Sequence, residues 1–440
     1  MRTVDFIHGT CWTDLPADVQ NMARRCLLDT LGAGIGGSQT DLSRIIRDFA
    51  AINFGGGQAA LWMDGRTVSP VGAALANAMT IDSLDIHDGF RPVKGHAGAA
   101  LVPALLATAK LGQDPASGAE LLAALVMGYE IACRAGAALH NTVSDYHTSG
   151  AWNALGCAAI TSRRLGSDAD VTRHALGIAE YHGPRSQMMR VIDYPTMLKD
   201  GSGWGAMAGV SAGLMAASGF TGAPAITVEE ARVADYWADL GQTWLIREQY
   251  FKPHAVCYWA QPAVTGAIKL RDDHDLQVED IKSIRVHAFH EATRLAVREP
   301  ADTEQAQYSL PFPVASGLVH GRLGPDQLSG EALKQPQVLD LSSRVEMIED
   351  DEYNRRFPEE RLQRVEIFTH DGRQLDTGTL TTKWDVSSEP PSDDDLLTKF
   401  RWISRTALDD ERAAAVEQTA WNLAQAESAQ ALNDLLSAAV

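Results

Sequence analysis

Between Ser83 and Leu101 the chain reads SLDIHDGFRPVKGHAGAAL, and six of its side chains can carry or move charge: Asp85, His87, Asp88, Arg91, Lys94 and His96. Two carboxylates and an imidazole are the groups that transfer protons near neutral pH. Arg91 and Lys94 are cations suited to holding a carboxylate. Gly89, Pro92 and Gly95 break the stretch into a loop. A solvated connection between two helices would have the same composition. What favours a site is the apolar run AALVPALLATAKL just after His96. It sets the histidine at or near a helix N-terminus, where unpaired N–H groups and the helix dipole favour an anion.

Three further places offer matching chemistry. Asp145-Tyr146-His147-Thr148-Ser149-Gly150 precedes a long apolar helix, AWNALGCAAITSRRL; Tyr146 or His147 could orient a substrate or relay a proton, or the turn could simply cap the helix. Lys199 stands at the threshold of Gly201 to Val228, a segment without a single charge, and a cation there is costly unless it meets an anion. In TWLIREQYFKPHAVCYWAQ, aromatic residues surround Lys252 and His254; the alternative is a core into which the lysine stem packs.

The elements that must position these groups are mostly helices. From Leu15 to Leu31, Val19, Met22, Ala23, Cys26, Leu27 and Thr30 recur at helical spacing. The following Gly32-Ala33-Gly34-Ile35-Gly36-Gly37 matches G-x-G-x-x-G on paper, but a helix precedes it where a dinucleotide fold needs a strand. We read those glycines as a helix end and a close-packing surface. Helices are expected at 42–54, 69–83, 99–111 and 118–139, with a short extended piece at Ala59 to Trp62. The uncharged 201–228 run, rich in Gly, Ala and Ser and closed by Pro224, reads as a core helix and not as a membrane span.

Past Leu276 the texture changes. Ile281 to Phe289 alternates as a strand, Val365 to Thr369 and Arg373 to Thr379 flank the hairpin signal His370-Asp371-Gly372, and Thr381 to Asp385 reads as another strand. Helices are expected at 304–320 and 330–336. The fold class is therefore mainly α. We expect a discontinuous all-helical domain, 1–265 with 396–440, and a smaller α+β lid, 266–395, inserted before the C-terminal helices.

Composition narrows the function. The 440 residues carry a formal net charge of -19, 38 Lys and Arg against 57 Asp and Glu, so nucleic acid and anionic membranes are not expected partners. An acidic protein that binds an acidic ligand must gather its cations locally. The five cysteines are scattered and never spaced as CxxC, which suggests reduced thiols, no disulfide framework and no zinc site. The N-terminus lacks an apolar stretch of signal-peptide length, and a cytoplasmic location is expected.

Asp85-Ile86-His87-Asp88-Gly89 followed by Gly95-His96-Ala97-Gly98 resembles the MmgE/PrpD family, whose members include 2-methylcitrate dehydratase, cis-aconitate decarboxylase and iminodisuccinate epimerase. His147, Lys199 and the Lys252-Pro253…Cys257 segment match the family at the corresponding places, and the resemblance runs from about residue 20 to 405. The chain departs from the pattern at His87 (usually Asp), Gly89 (Thr or Ser), Ala97 (often Pro) and Phe312, where a tyrosine is usual, unless Tyr308 supplies that hydroxyl.

The resemblance implies a cofactor-independent enzyme, a homodimer, that abstracts a proton α to a carboxylate of a small di- or tricarboxylic acid and expels a β-hydroxyl as water. His96 would be the acid/base, Asp85 would fix its tautomer, Asp88 would be a second proton carrier, and His147 or Tyr146 would face it. Lys199, Lys252, Arg91 and Lys94 would hold carboxylates and the developing charge. Epimerisation or decarboxylation would use the same groups. A metal-dependent hydrolase built on Asp85, His87, Asp88 and His96 is disfavoured because Arg91 and Lys94 would repel a cation. A non-catalytic carboxylate-binding protein is the remaining alternative.

Overall fold

The computed structural model describes residues 2–112 and 115–440. Ten helices form its first half: α1 Thr3–Gly9, α2 Ala17–Gly37, α3 Asp41–Asn53, α4 Pro70–Asp82, α5 Gly98–Thr108, α6 Gly118–His140, α7 Gly150–Arg164, α8 Ala169–His182, α9 Met189–Asp193 and α10 Ser202–Ala217. Their starts are set by local chemistry. Ser69, with Pro70 behind it, accepts from the Gly72 N–H to open α4, and Ser117 and Asp168 cap α6 and α8 in the same way.

Glycine and alanine decide how these helices pack. In α10 a Cβ on Gly205 would lie 2.6 Å from the Gly150 backbone and one on Gly209 2.3 Å from the Ala154 carbonyl, so α10 meets α7 backbone to backbone. Of the uncharged run, Ser202–Ala217 is a core helix; the chain then passes through a largely exposed turn at 218–224 to the short helix Ile226–Glu229. α6 is long and apolar enough to cross a bilayer, but almost all of it is covered by protein.

The glycine run 32–37 forms the last turns of α2. Its bare faces admit Trp62 at Gly34, Ile403 at Gly36 and the Thr80 carbonyl at Gly37. Close packing against α4 and the C-terminal segment is what these glycines serve, and they lie inside a helix where a phosphate loop would need a strand-to-helix turn.

Strands are few. β1 Ala59–Ala60 pairs with β2 Thr67–Val68, and β3 Gly89–Phe90 pairs antiparallel with β4 Gln249–Tyr250. The second pair matters for the site, because it clips the charged loop to the segment that carries Lys252.

The chain then enters a mixed sheet of β5 Ile281–Ala288, β6 Val345–Glu349, β7 Gln363–Thr369 and β8 Gln374–Asp376, in the order β6-β5-β7-β8. β5 runs parallel to β6 and antiparallel to β7. The short, acidic β6 carries no strand signal that we recognised in the sequence. The strand expected at Thr381 to Asp385 does not form; Gly378 and Trp384, both with φ of 66°, turn the chain, and Asp385 spends its carboxylate on the Ser387 N–H. Pro311 splits the helix expected at 304–320 into Thr303–Gln307 and Pro311–His320, and 330–336 is a 3-10 turn over Gly330–Lys334. The helix Gln261–Asp273 packs on Pro311–His320 and β7, so this α+β unit draws in residues ahead of 266.

The helix Asp393–Ser404 lies along α2. From it, Lys399 reaches into the protein, where its Nζ donates to Asp29 Oδ1 at 2.6 Å and to the Ile86 carbonyl at 2.7 Å. Both side chains are buried, so the C-terminal segment holds the charged loop through an ion pair sealed from water. Lys399→Met should leave Asp29 as an uncompensated buried carboxylate, at a cost of about 3–5 kcal/mol. Thermal unfolding of the variant, with a clearly lowered midpoint, checks this.

Candidate active site

The charged loop is buried. Asp85, His87, Asp88 and His96 are all covered in the folded chain, so the loop is not a solvated connection. A tight pocket reaches it, lined by Asp85, Arg91, Lys94, His96 and Asp200, and by Tyr250, Tyr258, Trp259, Tyr308 and Arg361. The first group comes from the helical half and the second from residue 250 onward, so the pocket lies where the two halves of the chain meet.

At its floor is a buried ion pair. Lys252 Nζ donates to Asp85 Oδ1 at 2.5 Å and to the Asp85 carbonyl at 2.9 Å. Burial pushes the Asp85 carboxyl up, but the attraction of Lys252, then of His96 and Lys199, outweighs it and holds the pKa at about 2. Asp85, Lys94 and Lys199 all adopt left-handed backbone, with φ of 48°, 53° and 49°. Such a conformation costs about 1–2 kcal/mol in a residue with a Cβ, and three of the six non-glycine cases described cluster here.

His96 Nδ1 lies 2.6 Å from the Asp88 carbonyl oxygen. A carbonyl can only accept, so Nδ1 carries the hydrogen and Nε2 keeps its lone pair. Nε2 sits 3.6 Å from Asp85 Oδ1, close enough for the carboxylate to stabilise the ring once Nε2 takes a proton. Burial and the neighbouring Lys252 push the imidazole well below its usual pKa, so it is neutral at pH 7. The backbone of His96 is pinned on both sides: its N–H donates to Ser149 Oγ at 2.8 Å and its carbonyl accepts from Asn153 Nδ2 at 2.8 Å.

Two roles expected from the sequence differ from this geometry. The His96 tautomer is set by the main-chain carbonyl of Asp88 and not by Asp85, which lies beside the other nitrogen. The Asp88 carboxylate does not line the pocket; it turns into the helical core, accepts from Tyr129 OH at 2.5 Å, and is raised by burial to about 6. Tyr146 and His147 also lie outside the pocket wall. His147 stacks on His140, and Tyr146 lies under the Lys94 ammonium, 3.8 Å from its ring centre.

The cations divide by what they already hold. Lys252 is neutralised by Asp85. Arg91, about one-third exposed, reaches Ser387 Oγ at 2.7 Å and Asp385 at 3.7 Å. Lys199 is buried with only a neutral acceptor, Gln307 Oε1 at 2.5 Å, and the face of Tyr308. Gln307 in turn donates to the Ser83 carbonyl at 2.9 Å, tying Lys199 to the start of the charged loop. Burial lowers Lys199, and lowers Lys94 to about 8 with Arg361 adding to the effect.

Three pocket residues were not singled out from the sequence for chemistry. Asp200 follows Lys199 directly; one of its oxygens accepts from Ser149 Oγ, and the other, Oδ1, is buried without a partner. Burial, then the charge of Asp82, pushes its carboxyl well above the usual range, and it lines the same pocket as His96. Its only sequence signal was adjacency to Lys199. Tyr250 packs edge-on to His96 and stacks on Tyr258. A Cβ at Gly89 would fall 2.4 Å from the Tyr250 ring, so glycine stands there because tyrosine fills the space. Arg361 sits in a charged stretch with nothing to mark it. Phe312 is fully buried away from the pocket, whereas Tyr308 lines it.

Asp85, His87 and His96 bring one ligand-type atom each within 4.8 Å of one another. The donor set does not suit a metal ion, because Lys252 already caps the Asp85 carboxylate and its ammonium would repel a cation; His87 is held through Nε2 by Asp82 Oδ1 at 3.1 Å, and its Nδ1 is unpartnered. The arrangement suits proton transfer next to an anionic ligand.

The chain is 26% identical over 464 residues to a human protein named cis-aconitate decarboxylase, which covers 98% of this chain and 92% of the relative. It is 24% identical over 466 residues to the cis-aconitate decarboxylase-like protein oryM of Aspergillus oryzae (97% and 94%), and 23% over 463 residues to a cis-aconitate decarboxylase of Aspergillus terreus (97% and 93%). The MmgE/PrpD N-terminal domain matches residues 2–240 and the MmgE/PrpD C-terminal domain residues 254–425. Between them the two domains account for nearly the whole chain, and it belongs to the MmgE/PrpD family.

Proposed function

We propose that the protein is a cofactor-independent lyase of a small polycarboxylic acid, acting by proton transfer at a carbon next to a carboxylate. The observation that carries this is the sequence of contacts Lys252–Asp85–His96, in which a neutral imidazole keeps a bare Nε2 beside a buried carboxylate. A carbanion next to a carboxylate spreads its charge as an enediolate, and preorganised cations lower the cost of forming it. Lys94, which lines the pocket, and Lys199, buried behind Tyr308, are the cations this reading uses to supply that charge.

Loss of carbon dioxide is the first reading, supported by full-length similarity to proteins named cis-aconitate decarboxylase. In an unsaturated acid, the electron pair of the breaking C–CO2 bond moves into a new double bond. The old double bond shifts its pair to the carbon α to a second carboxylate, and that carbon takes a proton. Asp200, with its carboxyl raised by burial and one oxygen unpartnered, is the donor this reading uses.

Dehydration is the second reading, favoured by an acid and a base standing in one pocket. His96 Nε2 would take the α-proton, and Asp200 would protonate the departing β-hydroxyl, which leaves as water.

Incubation with hydroxy and unsaturated di- and tricarboxylates in D2O, followed by proton NMR, tests the proposal. New vinyl signals with release of carbon dioxide support the first reading, and vinyl signals without it support the second. Exchange of an α-proton with no product would replace both with epimerisation, and inertness toward every acid would remove the proposal.

His96→Asn and Asp200→Asn keep shape while removing a proton carrier. Each should lower kcat by about 10²–10⁴ while melting like the wild type, and near-normal turnover in either would remove that residue from the chemistry. Lys252→Met is a poorer test, because it strands Asp85 without its counter-ion and should cost stability as well.

The pH profile tests Lys94, which faces Arg361, Glu359 and Glu291. Its cationic form predominates below about 8 and is lost above it. kcat/KM, which reports the free enzyme, should therefore fall as pH rises through about 8. A bound carboxylate raises the lysine pKa, so the fall in kcat should come at higher pH. Lys94→Met should abolish the alkaline fall, and its persistence in that variant would assign it to another group.

A further inference from the structure

Arg361 is the most conspicuous charge in the pocket with nothing to neutralise it. The residue is only 4% exposed. One amino group, Nη2, donates to the Arg91 carbonyl at 3.3 Å, while Nε and Nη1 are buried without any hydrogen-bond partner. Among the described residues no carboxylate lies within ion-pair distance. Asp385, which contributes to its electrostatic surroundings, is already held by Tyr258 OH at 2.5 Å, by the Ser387 N–H at 2.9 Å and by Ser387 Oγ at 2.6 Å. The guanidinium is steadied by the faces of Tyr258 and Phe357, each 5.8 Å from its central carbon.

A buried cation with two idle donors is costly unless something meets them. The guanidinium is flat, and Nη2, which spends one N–H on the Arg91 carbonyl, makes with Nε or with Nη1 a fork that matches the two oxygens of a carboxylate. Lys252 cannot play this part at the other pole, because Asp85 has already neutralised it. Of the cations that line the pocket, Arg91 is turned to Ser387 and Asp385, which leaves Arg361 and Lys94 for an incoming anion, from opposite halves of the chain.

Resting on the lyase reading above, we propose that Arg361 binds a carboxylate remote from the reacting carbon and so makes the pocket selective for tricarboxylates over dicarboxylates. The ligand then spans from the His96 loop to the C-terminal half. Arg361 acts here as a specificity-determining residue and takes no part in proton transfer.

The experiment uses tricarballylate and succinate, two saturated acids that cannot undergo the reaction, titrated calorimetrically into the wild-type protein, Arg361→Met and His96→Asn. The wild type should bind tricarballylate at least about tenfold more tightly than succinate, the margin of one charge-assisted carboxylate contact. In Arg361→Met that ratio should collapse toward one while succinate binding stays near the wild-type level, and Arg361→Lys should restore it only in part. A purely structural role would weaken both acids together and leave the ratio in place, which would overturn the inference. Should Arg361→Met melt well below the wild type, Arg361→Gln, able to keep the bond to the Arg91 carbonyl, carries the same comparison. The two readings fail differently. If His96→Asn and the wild type bind tricarballylate alike and Arg361→Met retains the ratio, only the Arg361 assignment falls. If the folded wild type binds neither acid, the polycarboxylate reading falls and Arg361 with it.

Discussion

The ion pair of Asp85 with Lys252 is the constraint on which the rest of the pocket depends. Both groups are out of water, and removing either charge from solvent costs several kcal/mol before any attraction is counted. The pair persists because its geometry is close and the lysine finds a second acceptor in the Asp85 carbonyl. Asp85 remains far more acidic than a buried carboxyl on its own would be. The left-handed backbone at Asp85 aims side chain and carbonyl at one ammonium, so the local strain has an electrostatic return.

That contact ties the N-terminal family domain to the segment that leads into the C-terminal one. Asp85 belongs to the N-terminal match and Lys252 lies just ahead of the C-terminal one, while the β3–β4 pairing and the bridge from Lys399 to Ile86 hold the same loop from two other directions. A loop so held presents His96 in one tautomer and one orientation. Preorganisation of this kind is what lets a neutral imidazole act without first reorganising its surroundings.

The pocket sorts its carboxyl groups by environment. Asp85, facing Lys252, is held low; Asp200, buried near Asp82, is pushed well up; Asp88, bonded to Tyr129, is raised by burial to about 6. Three carboxyls of one chemistry thereby acquire three protonation habits within a small volume. The departures of this chain from the family pattern have local causes as well. Tyr250 occupies the room that a side chain at Gly89 would need, and Tyr308 lines the pocket while Phe312 lies in the core.

By itself the sequence determined the mainly α character, the main helices, strands β5 and β7, and the loop on which the chemistry would centre. These are written in spacings of two, three and four residues and in charge density, which short-range sterics and burial translate directly into structure. Asp85 and His96 were legible for the same reason: an ionisable cluster between apolar helices stands out locally. Only the tertiary structure decided that Asp85 faces the pocket and Asp88, three residues on, faces the core, because in a loop the direction of a side chain follows from φ and ψ, which no periodicity specifies. It also decided the His96 tautomer through a main-chain carbonyl, a group that every residue carries alike. Asp200 and Arg361 were hidden for a related reason: what distinguishes them is the absence of a partner after burial, and that is a property of the packed protein and not of any stretch of its sequence.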